Sequence, residues 1–438
     1  MRFSQKNEIF IKKILKAVVG LFLIPCFLGG ALLACVVSRK KRRGNDKPRL
    51  FWGSVPIINN SYWARAMRQA GYSSETFTTD YYKNINTRSD WDRLLSEQYA
   101  AWPLAVRPFL GFLRVLLAYD ILFISCQGAF IGFSPLWRLQ APLLKLAGKK
   151  VVVIPYGADA YVYRAVRLPA LAHGLLMSYP DMARCQRRIA DQVDYWCKHA
   201  DVLIPGFIGP DGVGRWDVVM GSQLFLDLDS WQKRDAPQIA DGVNRPVIIC
   251  HAPNHRGFKG TEFVIEAVKS LRAEGLLVEL RLLENLQNSE VKRILREDAD
   301  ILVEQIIVTG HGMNALEGMA SGLPVISNLE DDEQLIPFRR WSFFSECPIV
   351  SASPENLSDI LRKLINRPAL RQRLGQAGRD YVEKYHGLDS AIYLFSEVVH
   401  YLFGRRDSII NIYHPLLGEY TLRSPKIDHP LINNRIID

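Results

Sequence analysis

The sequence predicts an α/β protein with two Rossmann-like domains and a central cleft, preceded by an N-terminal membrane helix. Three observations support this fold class. Apolar runs alternate with helical patterns, the alternation occurs in two consecutive sets, and an uncharged apolar segment precedes both sets. Continuous apolar strands indicate burial on both faces, as in a parallel sheet covered by helices. The 438 residues suffice for two large domains.

The apolar segment covers residues 17–37 and contains no charged side chain. A helix of about 20 residues spans the hydrocarbon core of a bilayer. A core helix of a soluble domain is rarely apolar on all faces over such a length. Pro25, Gly29 and Gly30 leave a kinked, re-entrant hairpin as an alternative. We assign residues 1–45 to a basic N-terminal segment and membrane anchor.

Basic clusters flank this segment on both sides, at residues 12–16 and 39–43. The positive-inside rule therefore gives no orientation. Residues 32–35 (LLAC) resemble a lipoprotein cleavage site, so export is an alternative. The dense positive charge at 39–43 argues against export. We expect attachment to a bacterial cytoplasmic membrane, with the globular domains facing the cytoplasm.

The composition is that of a globular chain, with 48% hydrophobic and 23% charged residues. The formal net charge is +10, but no zinc-finger spacing or other nucleic-acid signature is present. We therefore expect a membrane rather than a nucleic acid as partner of the basic surface. The seven cysteines form no C-x-x-C pair, which favours reduced thiols over a disulfide framework. The oligomeric state is left open.

The first set of elements is assigned to an N-terminal Rossmann-like domain at residues 46–240. It begins with a strand at 49–52 and a helix at 60–71 that ends on a glycine. Three continuous apolar runs predict further strands, at 120–125, 149–156 and 200–205. Two apolar but basic helical stretches, at 104–119 and 136–150, suit either an anionic membrane surface or an ordinary core with snorkelling charges.

The second set is assigned to residues 241–385, with the boundary in the polar stretch 233–245. A strand at 246–251 leads through a loop to a helix with Thr261 as its N-cap and Phe263 on its apolar stripe. The remaining predicted elements are strands at 277–283, 301–308 and 323–327 and helices at 289–297, 314–321 and from Ser353. Residues 386–438 are assigned to a return helix and an irregular tail; no role is given to the tail from residue 405.

The loop and helix at 309–325 (TGHGMNALEGMASGLPV) follow a strand, at the edge where open α/β sheets bind ligands. Gly310 and Gly312 allow close approach of the backbone, and the helix N-terminus suits a diphosphate. Glu317, placed in the first helical turn, can accept hydrogen bonds from a ribose diol. A capping box between Asn314 and Glu317 is the competing structural explanation.

The loop at 251–260 (HAPNHRGFKG) follows another strand at the same sheet edge. Arg256 and Lys259 can neutralise a leaving diphosphate without a metal. A solvated basic loop is the alternative. Two such loops at equivalent sheet edges favour a shared ligand.

The stretch 247–385 resembles the donor-binding domain of retaining glycosyltransferases of the GT-B fold, in particular bacterial family 4. Lys259-Gly260 is similar to the family's phosphate motif with Arg256 as basic partner, and 317–325 (EGMASGLPV) is similar to its E-A-M-A-x-G-x-P-V signature. Residues 375–391 resemble the segment in which a helix crosses back to the first domain. In the first domain, 149–161 resembles the acceptor-side strand and loop.

The resemblance implies a set of site residues. Arg256, Lys259 and Glu317 would be catalytic. The contacts to the nucleotide-sugar would come from the loop at 309–312 and the start of the helix that follows it. The contacts on the acceptor side would come from two loops of the first domain. The first group comprises Thr309, Gly310, His311, Gly312, Met313 and Asn314, and the second Gly53, Gly157 and Asp159.

One departure concerns the donor sugar. The family commonly carries a second Glu eight positions before the one matched by Glu317, and here that position is Thr309. His311 is placed where it can compensate. Asp227-Leu228-Asp229 would suit a metal site of a different glycosyltransferase fold, but its position between the two sets favours a linker.

Two functions follow from the resemblance. The first is a metal-independent, cofactor-free retaining glycosyltransferase that transfers a sugar from a nucleotide-diphospho-sugar to a lipid-linked or glycan acceptor in cell-surface polysaccharide synthesis. The second, motivated by Thr309, is a weak or inactive homologue that binds nucleotide-sugar or acts as a scaffold at the membrane.

Overall fold

The computed structural model describes residues 18–36, 47–83, 85–234 and 240–437. The basic clusters at 12–16 and 39–43 and the central part of the predicted domain boundary, residues 235–239, lie outside the described residues. The first described element is helix α1 (Val18–Val36), which is long and apolar enough to cross a membrane.

The first domain is built on a sheet of six parallel strands in the order β3-β2-β1-β4-β5-β6. Its strands are β1 (Leu50–Trp52), β2 (Ser74–Thr78), β3 (Arg93–Leu94), β4 (Ile121–Ile124), β5 (Lys150–Val153) and β6 (Val202–Leu203). The helices around it are α2 (Ile58–Gln69), α3 (Leu95–Gln98), α4 (Arg107–Ala118), α5 (Gln140–Leu146), α6 (Pro169–Ser178), α7 (Pro180–Arg184) and α8 (Gln186–His199).

The second domain has a sheet of five parallel strands in the order β11-β10-β9-β7-β8. Its strands are β7 (Val247–His251), β8 (Val278–Leu282), β9 (Ile301–Thr309), β10 (Val325–Asn328) and β11 (Val350–Ser351). The helices are α9 (Arg256–Lys259), α10 (Thr261–Ala273), α11 (Asn288–Glu297), α12 (Met313–Ala320), α13 (Asp332–Trp341), α14 (Leu357–Ile365), α15 (Pro368–Tyr385) and α16 (Leu388–Leu402).

The central strands are buried on both faces, as their continuous apolar character predicts. β2 was not predicted, because four of the five residues in its sequence SETFT are polar, even though Ser74 and Thr76 are buried. Trp52 Nε1 donates to Ser74 Oγ (2.8 Å), so a tertiary hydrogen bond satisfies one of these hydroxyls.

Two predictions about α10 are wrong. Its N-cap is Gly260 at φ +79°, and Thr261 is the first helical residue. The Thr261 hydroxyl is instead bonded to the Nε2 atom of buried His251 (2.9 Å). Phe263 is exposed and does not belong to the buried stripe, which runs through Val264, Ala267, Val268 and Leu271.

Strand β9 is interrupted by a bulge. Gln305 pairs with Ser327 of β10, whereas the next paired residue of β9 is Thr309, opposite Asn328. Residues 306–308 are therefore displaced from the ladder. Gln305 Nε2 donates to the Val308 carbonyl (3.0 Å), which holds the displaced backbone. Such bulges re-aim side chains at the end of a strand.

The chain returns to the first domain after α15. Helix α16 packs against α2, and Phe395 lies 4.8 Å from the Trp52 ring and 5.7 Å from the Trp63 ring, measured between centroids. This aromatic contact joins α16 to the core of the first domain. The predicted return helix thus has a clear packing partner.

The tail is ordered on the second domain by a short helix, α17 (Glu419–Leu422), and a hairpin of β12 (Leu431–Ile432) and β13 (Arg435–Ile436). Asn434 Nδ2 donates to the carbonyls of Cys347 (2.8 Å) and Ile349 (3.0 Å). The tail therefore protects the edge strand β11, which a solvent-exposed sheet edge requires.

Replacing Asn434 by alanine should lower the free energy of unfolding by about 1–3 kcal/mol, because two buried carbonyls lose their donor. Asn433→Ala is a matched control, since both asparagines have positive φ (49° and 67°) but Asn433 is exposed. Urea denaturation of the two variants measures the difference. Equal losses would assign the effect to backbone strain alone.

Candidate functional site

The two glycine-containing loops singled out in the sequence meet at one edge of the second sheet. A Cβ atom on Gly312 would lie 3.6 Å from Lys259 Nζ and 3.2 Å from Glu304 Oε1. Gly310 has φ +110°, which favours glycine, and its Cα faces the ring of Phe207 from the first domain. The loops are therefore neighbours in space, and the first domain closes over them.

Lys259 is buried at the end of α9, where Gly260 at φ +79° turns the chain into α10. Its ammonium forms an ion pair with the carboxylate of Glu304 and donates to Gln305 Oε1 (2.7 Å). The Glu304 side chain is 1% exposed. Sequence reasoning missed Glu304, although a carboxylate inside the apolar run ILVEQIIV was a visible signal.

Further hydrogen bonds stabilise the Glu304 carboxylate. Its Oε2 atom accepts from the Gly312 backbone N–H (3.3 Å) and from Ser327 Oγ (3.2 Å). A buried carboxylate is tolerated only when it is paired and hydrogen-bonded. This network connects the loop 251–260, which contains α9, with the bulged strand β9 and the start of α12.

Arg256 has a different environment. Its side chain is 45% exposed and forms ion pairs with Glu262 (2.9 Å) and Glu284 (3.3 Å). Both cations of the predicted diphosphate site therefore already have carboxylate partners. The positive charge available to an anionic ligand is smaller than the sequence alone indicates.

Helix α12 begins at Met313 with Gly312 as its N-cap, and no side chain caps it. Glu317 is the fifth residue of the helix, so its predicted place in the first turn is wrong. The capping box is not formed: Asn314 lies inside the helix, and its Nδ2 donates to Glu317 Oε2 (3.2 Å). The main structural alternative for Glu317 is thereby removed.

Glu317 faces the first domain. Partial burial raises the pKa of its carboxyl, while Asn314, Lys292 and Asn288 favour the charged form. The pKa of Tyr62 in α2 is raised to about 12. Burial is the larger cause, and the nearby negative charge of Glu317 is the second. Tyr62, Lys292 and Asn288 are site residues that no local sequence pattern revealed.

A cavity of about 320 Å³ lies between α11 and the segment 229–232, and neither Glu317 nor Lys259 lines it. Trp231 and Ser230 of the linker, Lys292 of α11 and Ser321 after α12 are among its lining residues. Lys292 Nζ donates to Ser230 Oγ (3.1 Å) and lies 4.9 Å from the centroid of the Trp231 ring. The linker thus forms one wall of this cavity.

His311 does not face a ligand site. It is buried against the rings of Phe207 (5.2 Å), Phe344 (6.1 Å) and His386 (6.1 Å), measured between centroids. Among the described residues, neither ring nitrogen has a hydrogen-bond partner of good geometry. The prediction that His311 compensates at the sugar is therefore wrong, because aromatic packing fixes the ring inside the core.

Thr309 and Met313 are the other two predicted loop residues, and their role as donor contacts stays a prediction. Thr309 is buried at the end of β9, opposite Asn328. Met313 is partly buried and packs on the main core as the first residue of α12. Neither contributes a charge to the site.

The three residues predicted for the acceptor side form a second group, at the carboxyl ends of the first sheet. A Cβ on Gly53 would lie 2.1 Å from the Phe77 carbonyl oxygen, so only glycine fits after β1. Asp159 is buried and accepts from the backbone N–H groups of Cys126 (2.9 Å), Tyr156 (2.9 Å) and Gly157 (3.0 Å). Its carboxylate organises the loop, and burial raises its pKa to about 6. A direct contact of Asp159 with an acceptor is therefore not supported.

Helix α6 of the first domain covers the loop that carries Lys259. The Phe258 N–H donates to Ser178 Oγ (2.8 Å), and Gly174 leaves room for Ile307 of the bulge. Val308 packs between Leu171 and Leu175. The β9 bulge is thus a contact between the domains as well as a support for the site.

Asp227 of the predicted linker forms an ion pair with Arg65 of α2. Among the described residues, no group of three or more His, Cys, Asp or Glu side chains is arranged to hold a metal ion.

No protein-family model and no curated protein matches the chain in sequence. Solved structures do match. The Anabaena protein HepE, crystallised with UDP-glucose, aligns over 80% of this chain and 98% of its own, with a TM-score of 0.51 and 11% identity. A glycosyltransferase from Rickettsia africae aligns over 83% of this chain and 100% of its own, with a TM-score of 0.50 and 12% identity. This likeness confirms the predicted fold: two parallel-sheet α/β domains arranged as in GT-B glycosyltransferases.

Glu304→Gln should lower the free energy of unfolding by about 3 kcal/mol, because it leaves the buried Lys259 ammonium without its counter-charge. Glu284→Gln removes an exposed partner of Arg256 and should cost less than about 1 kcal/mol. Chemical denaturation of both variants provides the comparison. Replacing both partners, as in Lys259→Met with Glu304→Leu, should recover part of the loss.

Stability should fall as the pH drops from about 6.5 to about 4. Burial lowers the pKa of His251 and His311 to about 4 and that of His386 to about 3. Below about pH 6.5 the unfolded chain binds protons that the folded chain excludes, and each such histidine adds a slope of up to about 1.4 kcal/mol per pH unit.

His311→Phe should reduce this slope, since the new ring fits an apolar pocket and cannot be protonated. Equilibrium unfolding at several pH values measures the change, with the exposed His173→Phe as control. An unchanged slope in His311→Phe would show that His311 is already charged in the folded protein.

Proposed function

We propose that this protein is a glycosyltransferase that moves a sugar from a nucleotide-diphospho-sugar to a lipid-linked or glycan acceptor, with retention of configuration and without a metal ion. The observation that carries the proposal is the meeting of Lys259, the start of α12 and Glu317 at one sheet edge that faces the first domain. The fold supports it, and so does the resemblance over residues 247–385.

The diphosphate would lie between Lys259 and the N-terminus of α12. A lysine ammonium has three donors, and among the described residues Glu304 and Gln305 account for two of them. The third would bind a phosphate oxygen. The backbone N–H groups at the uncapped start of α12 add a partial positive charge. Charge developing on the leaving diphosphate would thus meet fixed donors.

The ribose would be bound by Glu317. A half-buried carboxylate with no capping function can accept both hydroxyl hydrogen bonds of a diol. Tyr62 and the linker residue Trp231 would close this half of the site from the first domain. Because α6 covers Lys259, we expect the donor to enter from the Glu317 side.

We infer membrane attachment through α1, with a lipid-linked acceptor presented to the first domain. The apolar character of α1 supports this localisation, and the acceptor class rests on the resemblance. HepE was crystallised with UDP-glucose, which makes UDP-sugars the first donors to test.

A second function is favoured by the Lys259–Glu304 ion pair. If Glu304 holds the ammonium away from phosphate, the protein would bind nucleotide-sugar weakly and transfer no sugar. Calorimetric titration with UDP- and GDP-sugars, followed by an assay for released nucleotide in the presence of a chelator, separates the two functions. Binding without turnover on any lipid-linked acceptor would favour the second.

Lys259→Met should lower kcat by about 10²–10³-fold, since it removes a donor aimed at the leaving group. Glu317→Gln should mainly weaken donor binding, by about tenfold, because the hydrogen bonds of a charged acceptor are lost. Lys269→Met, on the exposed face of α10, is the control. Unchanged steady-state kinetics in both site variants, with folding intact, would show that the site is elsewhere.

A further inference from the structure

Helix α1 is docked on the first domain along most of its length. Its buried residues form one helical stripe through Gly20, Phe27, Ala31 and Ala34. The Phe27 ring lies 6.1 Å from Phe109 and 5.6 Å from Phe112 of α4, measured between centroids. The contact is therefore part of the core of the first domain.

Glycines make this docking possible. A Cβ on Gly20 would lie 2.6 Å from Leu136 Cδ1, and a Cβ on Gly30 would lie 2.7 Å from Leu113 Cδ1. At both positions the neighbouring leucine side chain would have to shift to admit a Cβ atom. At the adjacent Gly29 nothing lies within 4 Å. Two glycines of α1 thus lie against Leu113 of α4 and Leu136 of the turn before α5, as in close helix packing between small residues.

The opposite face of α1 is apolar and uncovered. Its exposed large side chains are Val18, Leu21, Phe22, Leu28, Leu32, Leu33 and Val36. Trp102 and Leu104, in the turn that leads into α4, are exposed as well. An exposed apolar surface of this size marks a contact with a partner or a membrane.

Docking and membrane crossing exclude each other. From Gly20 to Ala34 the contact extends about 21 Å along the helix axis. If α1 crossed a bilayer in this position, α4 would enter the hydrocarbon together with Arg107 and Arg114. Each arginine there would cost several kcal/mol.

We propose that α1 does not span the membrane but lies in its plane, docked on α4 through Gly20 and Gly30, with its exposed face in the acyl chains of an anionic bilayer. Charge complementarity selects this partner: α1 itself is uncharged, the sequence is basic on both sides of it, at 12–16 and 39–43, and the net charge is +10. Both ends of α1 then lie on the same side as the catalytic domains.

Depth-dependent fluorescence quenching tests this arrangement on the full-length protein in vesicles of phosphatidylglycerol and phosphatidylcholine. A fluorophore is attached in turn at Val18→Cys, Leu28→Cys and Val36→Cys, with Cys26, Cys35, Cys185 and Cys197 replaced by serine. The buried cysteines, Cys126, Cys250 and Cys347, stay. Lipids carrying a quencher at a shallow or a deep acyl position report the depth.

An in-plane helix predicts the same shallow depth at all three positions. A spanning helix of about 27 Å between Val18 and Val36 predicts a deep centre at Leu28 and shallow ends. That graded profile would overturn the proposal. Quenching by an aqueous quencher alone would also overturn it, because the exposed face would then lie in water. Cross-linking into a dimer without quenching by either lipid would overturn it as well, because the face would then be covered by protein.

Gly30→Leu and Gly29→Leu are the matched pair. Both add the same apolar side chain to α1, but only Gly30→Leu blocks the contact with Leu113. We expect Gly30→Leu to lose the uniform shallow profile and Gly29→Leu to keep it. Equal behaviour of the two variants would overturn docking through Gly30. None of these measurements depends on sugar transfer, so their outcome is independent of the proposed function.

Discussion

The buried ion pair between Lys259 and Glu304 is the interaction on which the site depends. It joins the end of α9 to the middle of β9, and Glu304 also accepts from Gly312 at the start of α12. A pair buried this deeply is stable only when the remaining lone pairs are satisfied. Ser327 Oγ donates a further hydrogen bond to Glu304, and Gln305 Oε1 accepts one from the Lys259 ammonium, so the strand and both loops are joined in one network.

The same pair sets the electrostatics of the site. Lys259 and Arg256 are both matched by carboxylates, and Glu317 adds a further acid. An approaching diphosphate would therefore rely on the single remaining donor of Lys259 and on the N-terminus of α12. These groups are fixed before a ligand arrives, which is the condition for efficient charge stabilisation. Because Glu304 neutralises Lys259, Glu304 would decide whether the site only binds a nucleotide-sugar or also transfers the sugar.

The β9 bulge and helix α16 both link the second domain to the first. At the bulge Val308 packs with Leu171 and Leu175 of α6, and α16 packs on the first domain through Phe395. Helix α1 is part of the same first-domain core through Phe27. If α1 lies in the membrane plane, the acceptor-side domain is held at the lipid surface, where a lipid-linked acceptor would be presented.

The sequence by itself determined the two parallel-sheet domains, the apolar α1 and the two loops that meet at the sheet edge. These features are local: continuous apolar runs, helical periodicity and glycines at strand ends are visible in a single segment. Only the tertiary structure decided that Glu304 neutralises Lys259, that His311 enters an aromatic core, that Asp159 binds backbone N–H groups and that Gly30 seats α1 on α4. Each of these depends on a partner distant in the chain, and a local pattern carries no information about which side chain will lie within hydrogen-bonding or van der Waals distance.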